Sequence, residues 1–448
     1  MPPPRSSTLP RQSANAPAAE PIADTELEAL FTGFSSFKRI ALAVSGGPDS
    51  LALMYLALAW RALQSGQRPD LLVLTLDHGL RPEAADEAAR VAATAATLGL
   101  AARILTRDPP ASPAAVQESA RADRYRLLRE AAQLSGADAI ATGHTLDDQA
   151  ETLLMRLARG SGIDGLSAMA PVSRLGDFKL LRPLLGVPKA RLEATLTVLG
   201  VPWTVDPSNA NPAFERPRLR AAMPVLLAAG LTPTALAMTA RRLARGREAL
   251  EQVTQDAARR LVIVHDEGYF EIDRPGFDAL PEEIRLRLLG RLIARLGTPD
   301  KPERLARLER LVSLLANEAH HAASLAGCLI QAAHDRIRVL REPGRLGLPT
   351  LELRPGETAE WDRRCRVSLA AIAPAPAIVR ALTADDLTGK LAAVARASAT
   401  PRPVLLSAPS VWRGGALLAL PLLGIGSPEV AIASTLALAG EIHDNNVS

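Results

Sequence analysis

Residues Ser45-Gly-Gly-Pro-Asp-Ser50 form the polar turn around which the rest of this sequence is organised. They follow a short aliphatic run, Arg39–Val44, that is typical of a buried strand, and they precede a longer apolar run, Leu51–Leu58, that favours a helix packed on the sheet. Two glycines let the main chain approach a ligand closely, and the unpaired N–H groups at the start of a helix attract an anion. The stretch therefore predicts a strand–turn–helix unit that binds phosphate.

Asp49 makes this turn more specific than a Gly-Gly turn capped by serine. A carboxylate at the mouth of an anion site repels phosphate unless a cation lies between them, so Asp49 predicts Mg²⁺ bound together with a nucleotide. The turn has neither the Gly-Lys-Ser/Thr of a Walker loop nor the Gly-x-Gly-x-x-Gly of a dinucleotide site. The predicted nucleotide-binding residues are Ser45, Gly46, Gly47, Pro48, Asp49 and Ser50.

Composition limits the class of protein before any further motif is considered. The chain has 448 residues, which predicts two or three domains, and its 48% hydrophobic and 22% charged residues suit a soluble globular protein. The two cysteines, Cys328 and Cys365, are far apart and support neither a zinc site nor a disulfide framework, which fits a reducing, cytoplasmic compartment. We expect no signal peptide and no membrane span, and the apolar stretch Gly414–Gly426 is interpreted as a buried hairpin.

Strands and helices alternate through the first half of the chain, which predicts an α/β fold with a doubly wound parallel sheet. Polar clusters at Ser45–Ser50, Asp77–Gly79 and Gly143–Asp148 follow three of the strands and are therefore expected at the carboxyl edge of the sheet, where such folds bind ligands. A helical domain and a small β-leaning region are predicted to follow. The predicted segments are a disordered tail at 1–25, a catalytic domain at 26–230, a helical domain at 231–345 and a β-leaning domain at 346–448.

A helix that begins near Leu146 carries three carboxylates on neighbouring turns, Asp147, Asp148 and Glu151. Part of this charge suits helix capping and the helix dipole, and the remainder repels itself unless Mg²⁺ or a substrate ammonium lies nearby. His144, just before the helix, is either a structural residue or a group that contacts phosphate or moves a proton.

Arginines recur in three further places. Arg121 and Arg124 share one face of a helix, as either a ligand-binding pair or a solvated face. Arg216, Arg218 and Arg220 form either a contact to a nucleic-acid backbone or a segment held by salt bridges. More arginines recur between Leu231 and Leu340, where helical basic faces are usually solvated but where recurrence favours a polyanion such as RNA. With one lysine among them, these basic residues are Arg241, Arg242, Arg245, Arg247, Arg285, Arg287, Arg291, Arg295, Lys301, Arg304, Arg307 and Arg310.

Taken together, the motifs resemble those of the bacterial tRNA(Ile)-lysidine synthases, a family of N-type ATP pyrophosphatases. The resemblance covers roughly the first half of the chain in family order. It includes Ser45–Ser50, Asp77–Arg81, Ala120–Tyr125, Gly143–Thr152, Arg159–Met169, Arg182–Leu185 and Trp203–Asn209. The resemblance implies that ATP adenylates C2 of the wobble cytidine in a CAU anticodon and that the ε-amine of free L-lysine then displaces AMP.

The same resemblance implies a role for each matching residue. Ser45–Ser50 would bind ATP, with Asp49 near Mg²⁺, and the catalytic set would be Asp49, Arg121, Arg124, His144, Asp148 and Glu151. Asp148 and Glu151 would bind the lysine amine, with Glu151 as its main partner. The implied partners are tRNA(Ile) with a CAU anticodon and free L-lysine, with no membrane. The oligomeric state is left open, a homodimer included.

Two other functions are compatible with parts of the sequence. A related enzyme that thiolates tRNA would need paired cysteines, which Cys328 and Cys365 do not offer within the catalytic half. A tRNA-binding module with a dead site would not need the intact motifs at Ser45–Ser50 and His144–Glu151.

Overall fold

The structure is a computed structural model that describes most of the chain. It covers residues 19–66, 68–77, 79, 83–107, 116–204, 215–297, 305–317, 321–344, 347–398 and 400–436, without the side chains of 116–122, 317 and 321. The chain divides into two compact units, the first ending at Arg247 and the second beginning at Glu248. Residues 1–18 of the tail predicted at 1–25 lie outside the described residues. The domain boundaries given by the sequence analysis stay a prediction.

A six-stranded, mostly parallel sheet forms the centre of the first unit, as the sequence predicted. Its strand order is β3-β2-β1-β4-β6-β5, and only β5 runs antiparallel, paired with β6. The edge strand β5 was missed because it is short and partly exposed and lacks an apolar run. The strands are β1 (Arg39–Ala43), β2 (Asp70–Asp77), β3 (Ala101–Thr106), β4 (Ala139–Thr142), β5 (Val172–Leu175) and β6 (Phe178–Leu181).

Helices cover both faces of this sheet, because the central strands are apolar on both sides. One face is buried with residues of α1, α2, α3 and α7, and the other with residues of α4. Aromatic residues are few, and three of them, Phe31, Phe34 and Trp60, pack together with ring centroids 5.0–6.0 Å apart. The helices are α1 (Asp24–Phe31), α2 (Pro48–Leu63), α3 (Glu83–Thr97), α4 (Val116–Leu134), α5 (Leu146–Ala158), α6 (Ile163–Leu166), α7 (Lys189–Val198), α8 (Glu215–Ala228) and α9 (Pro233–Leu261).

The second unit contains helices, as the sequence predicted, and also antiparallel strands that the helical domain expected at 231–345 did not include. Its described residues within 262–341 form a five-stranded antiparallel sheet in the order β7-β8-β11-β10-β9, and three helices lie between these strands in the chain. Its strands alternate buried and less buried residues, as in β10, and this period-two signal was hidden between strongly helical stretches. The elements are β7 (Val262–His265), β8 (Tyr269–Asp273), α10 (Arg274–Asp278), α11 (Glu282–Leu296), α12 (Leu305–Asn317), β9 (His321–Leu325), β10 (Cys328–Ala332) and β11 (Arg336–Arg341).

The C-terminal part of this unit is antiparallel β structure, as expected. The strands form two small sheets, β12-β15-β16-β17 and β13-β14-β18. Of the buried hairpin predicted at Gly414–Gly426, only the strand β17 is present; it pairs with β16, which precedes the predicted stretch, and most residues of the stretch are not buried. The elements are β12 (Leu351–Leu353), β13 (Thr358–Trp361), β14 (Cys365–Leu369), β15 (Ala377–Ala381), α13 (Gly389–Ala397), α14 (Arg402–Leu406), β16 (Pro409–Arg413), β17 (Ala416–Ala419) and β18 (Val430–Ser434).

Arginines of α11 serve the packing of the second unit. Arg287 donates to the Glu283 carboxylate at 2.8 Å, and Arg291 is paired with Glu251. Arg295 donates to two main-chain carbonyls of the C-terminal part, at 2.8 and 2.7 Å. Arg287, Arg291 and Arg295 are therefore engaged in contacts within the second unit, so they do not form the unpaired basic face that was one alternative in the sequence analysis.

No single helix of the described residues is long and apolar enough to cross a membrane. The pair α8 and α9, bent by 98° at the break between them, meets that test only when the two helices are counted together.

Strand order fixes the contact on which the site depends. Because β4 pairs with β1, the turn after β4 lies against the first turn of α2. A Cβ atom built on Gly143 would lie 2.6 Å from the main-chain oxygen of Asp49 and 3.0 Å from the nitrogen of Ser50. Only glycine fits at this position without a shift of backbone.

We predict that Gly143→Ala lowers the free energy of unfolding by about 1–3 kcal/mol, the usual cost of overpacking, and also weakens nucleotide binding. Chemical denaturation and ATP binding measure the two effects. Gly186→Ala is the matched control, because a Cβ there meets nothing within 4 Å. Equal stability of the two variants would contradict this account of the turn.

Candidate functional site

The turn after β1 is closed by its own serines. The main-chain N–H of Ser45 donates to Ser50 Oγ at 3.0 Å, and Ser50 Oγ donates to the Gly47 carbonyl at 3.0 Å. Gly46 takes a left-handed conformation, with φ +85°, that disfavours any side chain. The hydroxyl of Ser50 is therefore used to hold the shape of the turn, and Gly47 precedes the first residue of α2.

The turn is also tied to its surroundings. The main-chain N–H of Thr204, just beyond α7, donates to the Gly46 carbonyl at 3.2 Å. This bond brings the predicted stretch that begins at Trp203 to the phosphate turn, although the rest of that stretch, 205–209, lies outside the described residues.

Asp49 is a partly buried carboxylate, and one of its two oxygens has no hydrogen-bond partner among the described residues. Its Oδ1 atom is buried and has no hydrogen-bond partner among the described residues, while Oδ2 lies 3.7 Å from Lys189 Nζ. Burial raises the pKa of Asp49 to about 6, with Asp148, Glu193 and Asp147 adding to the rise and Lys189 opposing it. An oxygen ligand held this way suits a hard cation such as Mg²⁺.

The first two carboxylates of α5 hold the local backbone. Asp148 Oδ2 accepts from the N–H of Thr145 at 2.8 Å, and Thr145 Oγ1 accepts from the N–H of Asp148 at 3.3 Å, which forms a capping box. Asp147 Oδ2 accepts from the N–H of Lys189 at 2.7 Å and so fixes the start of α7. Part of the acidic cluster is thus structural, as capping chemistry predicts.

Glu151 differs from these two because an arginine side chain donates hydrogen bonds to both of its oxygens. Its side chain is 7% exposed, and Arg220 donates to both of its oxygens, Nε to Oε1 at 2.6 Å and Nη2 to Oε2 at 3.2 Å. Arg216 lies 4.0 Å from Asp148, and Arg159 is paired with Glu215. A buried carboxylate requires such a partner, because an unpaired charge there is strongly disfavoured.

Helix α8 is held over α5 largely by these ion pairs. None of its residues, all of which the structure describes, is buried. Arg216 and Arg220 therefore satisfy the salt-bridge alternative of the sequence analysis in this structure.

His144 lies between the acidic helix and the sheet. Its Nδ1 atom is 2.8 Å from Thr142 Oγ1, and burial lowers its pKa to about 4, an effect that Arg124 adds to and Asp148 opposes. The imidazole is therefore neutral at pH 7 and acts as a hydrogen-bonding group rather than as a cation. Arg124 lies near this site, because its charge acts on His144. The side chain of Arg121 is not among those that the structure describes.

Among the described residues, no group of three or more His, Cys, Asp or Glu side chains is arranged to hold a metal ion. At the phosphate turn, Asp49 supplies one buried carboxylate oxygen without a hydrogen-bond partner among these residues.

Sequence reasoning missed Lys189. The residue carried one local signal, because a lysine at the first position of a helix meets the positive end of the helix dipole and is disfavoured there. Its partner Asp49 is 140 residues away in the chain, and nothing in the spacing indicates the contact.

Comparison with known proteins agrees with this geometry. The PP-loop domain model matches residues 19–226, which supports ATP binding. A tRNA(Ile)-lysidine synthase from Bradyrhizobium sp. (strain BTAi1 / ATCC BAA-1182) is 46% identical over 346 residues, covering 72% of this chain and 96% of that protein.

The chain belongs to the tRNA(Ile)-lysidine synthase family. A further member, from Ruegeria pomeroyi (strain ATCC 700808 / DSM 15171 / DSS-3), is 39% identical over 390 residues, 87% of this chain and 90% of that protein. Members of the family are ligases, as the sequence predicted for this chain. Among solved structures, the U34-tRNA thiolase NcsA from Methanococcus maripaludis aligns at 17% identity with a TM-score of 0.41, covering 49% of this chain and 77% of that one.

The burial of Asp49 predicts a stability cost that depends on pH. Its pKa is about 6 in the folded protein against an ordinary 3.8, so the folded state binds this proton more tightly than the unfolded state does. Stability from this group is fully present below about pH 4 and is lost as the pH rises through about 6. We expect Asp49→Asn to raise the free energy of unfolding of the ligand-free protein at pH 8 by about 1–3 kcal/mol.

Denaturation at several pH values checks this expectation. The gain should shrink steadily between pH 6 and pH 4. Asp177→Asn, an exposed carboxylate between β5 and β6, is the control and should show no such trend. A gain for Asp49→Asn that stays constant across this range would contradict the assignment.

Proposed function

We propose that this protein joins free L-lysine to C2 of the wobble cytidine of tRNA(Ile) with a CAU anticodon, through an adenylated cytidine. The observation that carries the proposal is the buried carboxylate of Glu151, which binds a cationic side chain at the sheet edge that also holds the phosphate turn. Family membership supports the same conclusion. We also place this reaction in the cytoplasm.

In the first step, the Ser45–Ser50 turn and the start of α2 bind the phosphates of ATP. Asp49 would hold Mg²⁺ through its buried, unpartnered Oδ1 atom, and the metal would supply positive charge to the phosphates. The O2 atom of cytidine attacks the α-phosphorus, a new O–P bond forms, and pyrophosphate leaves with the electron pair of the broken bond. Arg121 and Arg124 are assigned to the nucleotide and the target base.

In the second step, the lysine ε-amine attacks C2, and AMP leaves with the electrons of the C2–O bond. Glu151, with Asp148 beside it, binds the ammonium in the position that the guanidinium of Arg220 occupies here. The amine must lose a proton before or during attack. His144 is neutral at pH 7, because burial lowers its pKa to about 4. At that pKa it is too weak a base to deprotonate the free ammonium, so its proposed role is to take the proton as the C2–N bond forms and the amine becomes acidic.

Exposed arginines at the start of α9 support binding of tRNA. Arg241, Arg242 and Arg245 are exposed, and among the described residues no carboxylate pairs with them. The opposite side of the helix, with Leu236 and Leu243, packs against α5 and α6. Phosphate contacts from such a face give affinity without reading sequence. We extend the proposed contact to Arg216, Arg218 and Arg220 once α8 releases the carboxylates of α5.

The alternatives fit the structure less well. Thiolation needs a reactive thiolate, yet both cysteines are buried, and burial raises the pKa of Cys328 to about 12 and that of Cys365 above its usual value. A dead tRNA-binding module would not need an open Asp49 oxygen beside a cation-binding carboxylate.

The direct test incubates the full-length protein with ATP, labelled lysine and bulk tRNA. AMP, pyrophosphate and label in RNA are followed together. Label in RNA in equal amounts with AMP supports the proposal. AMP and pyrophosphate without labelled RNA, or sulfur in the RNA instead of lysine, would refute it.

We predict that Glu151→Gln raises the lysine KM about tenfold or more, because a charge-assisted hydrogen bond is worth about 1.5–3 kcal/mol and about 1.4 kcal/mol is one decade. ATP binding should change little, because the phosphate turn is untouched. Steady-state kinetics with lysine varied at saturating ATP and tRNA gives the answer. Glu130→Gln, an exposed carboxylate on α4, serves as the control.

The opposite pattern would assign Glu151 to another role. If the lysine KM and kcat are unchanged while tRNA binding collapses, α5 is an RNA-binding or structural element.

We predict that the double variant Arg241→Ala/Arg245→Ala weakens tRNA binding and makes the slope of log K against log salt shallower by about two, because each lost phosphate contact removes about 0.9. Binding measured from low to moderate salt checks this. Arg259→Ala, also on α9 but paired with Asp256, is the control. A slope equal to that of the wild type would remove this face from the RNA-binding surface.

A further inference from the structure

Lys189 is fixed at the site through its main chain. It begins α7, and its N–H donates to Asp147 Oδ2 at 2.7 Å. Two residues earlier, the Val187 carbonyl accepts from the N–H of Leu146 at 3.0 Å. These two bonds join the start of α7 to the start of α5. The base of the Lys189 side chain therefore has a defined position at the carboxyl edge of the sheet.

The ammonium of Lys189 lies where a helix disfavours a cation. It sits in the first turn of α7, which contains no acidic residue, and so meets the positive end of the helix dipole. Its side chain is only 39% exposed, which limits stabilisation by water. The Asp49 carboxylate offsets this cost, together with the nearby carboxylates of Asp147, Asp148 and Glu193.

The contact with Asp49 is loose. The Nζ–Oδ2 distance is 3.7 Å, longer than a hydrogen bond, and no hydrogen bond joins Nζ to any other described residue. The protons of the ammonium are therefore available to a ligand. Asp49 Oδ1, on the same carboxyl group, is buried and unpartnered among the described residues. A cation with free donors and a carboxylate with a free oxygen thus lie side by side at the phosphate turn.

We infer that Lys189 binds the β- and γ-phosphates of ATP and the pyrophosphate that leaves. This inference rests on the proposed function, because it assigns a residue to the adenylation step. With Mg²⁺ on Asp49, the ammonium of Lys189 would exchange its contact with the carboxylate for a contact with a phosphate oxygen. Lys189 is then a catalytic residue that neutralises the charge developing on pyrophosphate as the bond from the α-phosphorus breaks.

Charge balance gives the physical reason for a second cation. The triphosphate carries more negative charge than one Mg²⁺ neutralises, and Asp49 adds to it. Asp147, Asp148 and Glu193 also contribute negative potential at Asp49. An ammonium whose side chain starts from a fixed backbone position at the phosphate turn stays close to the leaving group, which makes it effective in stabilising the charge of the transition state.

The experiment compares the binding of the two products of ATP cleavage, pyrophosphate and AMP. Lys189→Ala, Lys189→Arg and the control Lys179→Ala, an exposed lysine on β6, are made in the full-length protein. Binding of Mg²⁺-pyrophosphate and of AMP is measured by calorimetry without tRNA or lysine, and kcat and the ATP KM are measured with all substrates.

We expect Lys189→Ala to weaken pyrophosphate binding by about tenfold or more, since the lost contact is a charge-assisted one, and to leave AMP binding unchanged. Its kcat should fall, Lys189→Arg should restore most of the pyrophosphate affinity, and Lys179→Ala should behave as the wild type. Equal weakening of AMP and pyrophosphate would overturn the inference, because that is the result of a structural role through Asp49.

The same measurements separate this inference from the proposed function. Pyrophosphate binding that depends on Lys189 in a protein that makes no lysidine supports the inference and defeats the proposed function. Lysidine formation with pyrophosphate binding and kcat untouched in Lys189→Ala overturns the inference alone.

Discussion

The close contact between two turns is the constraint on which the rest of the site depends. The turn after β4 passes Asp49 so closely that only Gly143 fits there, and this contact exists because β4 is the neighbour of β1 in the sheet. The phosphate turn and the acidic helix α5 are consequently held at one edge. A nucleotide bound on the first turn and a cation bound on the second would lie close together, as a two-step ligation requires.

Charge at this edge is balanced by the protein's own cations. Lys189 faces Asp49, and Arg220 faces Glu151, so each carboxylate proposed to bind a substrate cation already has a basic side chain beside it. Both cations come from helices that follow the sheet's last strands, α7 and α8. The two contacts differ in strength: Lys189 is loosely placed, whereas Arg220 makes two hydrogen bonds. Such pairing lets an acidic site remain folded before its substrates arrive, because unpaired buried charges are costly.

The second unit shows how arginine-rich sequence misleads. Basic residues of α11 looked like candidates for RNA, but Arg295 holds main-chain carbonyls of the C-terminal part and Arg291 pairs with Glu251. Arg364, almost fully buried, is likewise bonded to Asp362. Arginine suits this use because its fork of donors satisfies several acceptors at once. Arg241, Arg242 and Arg245 of α9 lie in a similarly arginine-rich stretch of sequence, but their side chains are exposed to solvent.

The sequence by itself determined the parallel sheet, the phosphate turn with Asp49, the acidic start of α5 and membership of the ligase family. These features depend on short-range spacing and on helix and strand periods, which are written into consecutive residues. Only the tertiary structure decided that Asp147 and Asp148 hold backbone, that Glu151 binds Arg220, that Lys189 meets Asp49 and that a sheet lies within 262–341. Pairs such as Glu151 and Arg220 are 69 residues apart, and their contact follows from how helices pack on the sheet, which no local pattern encodes.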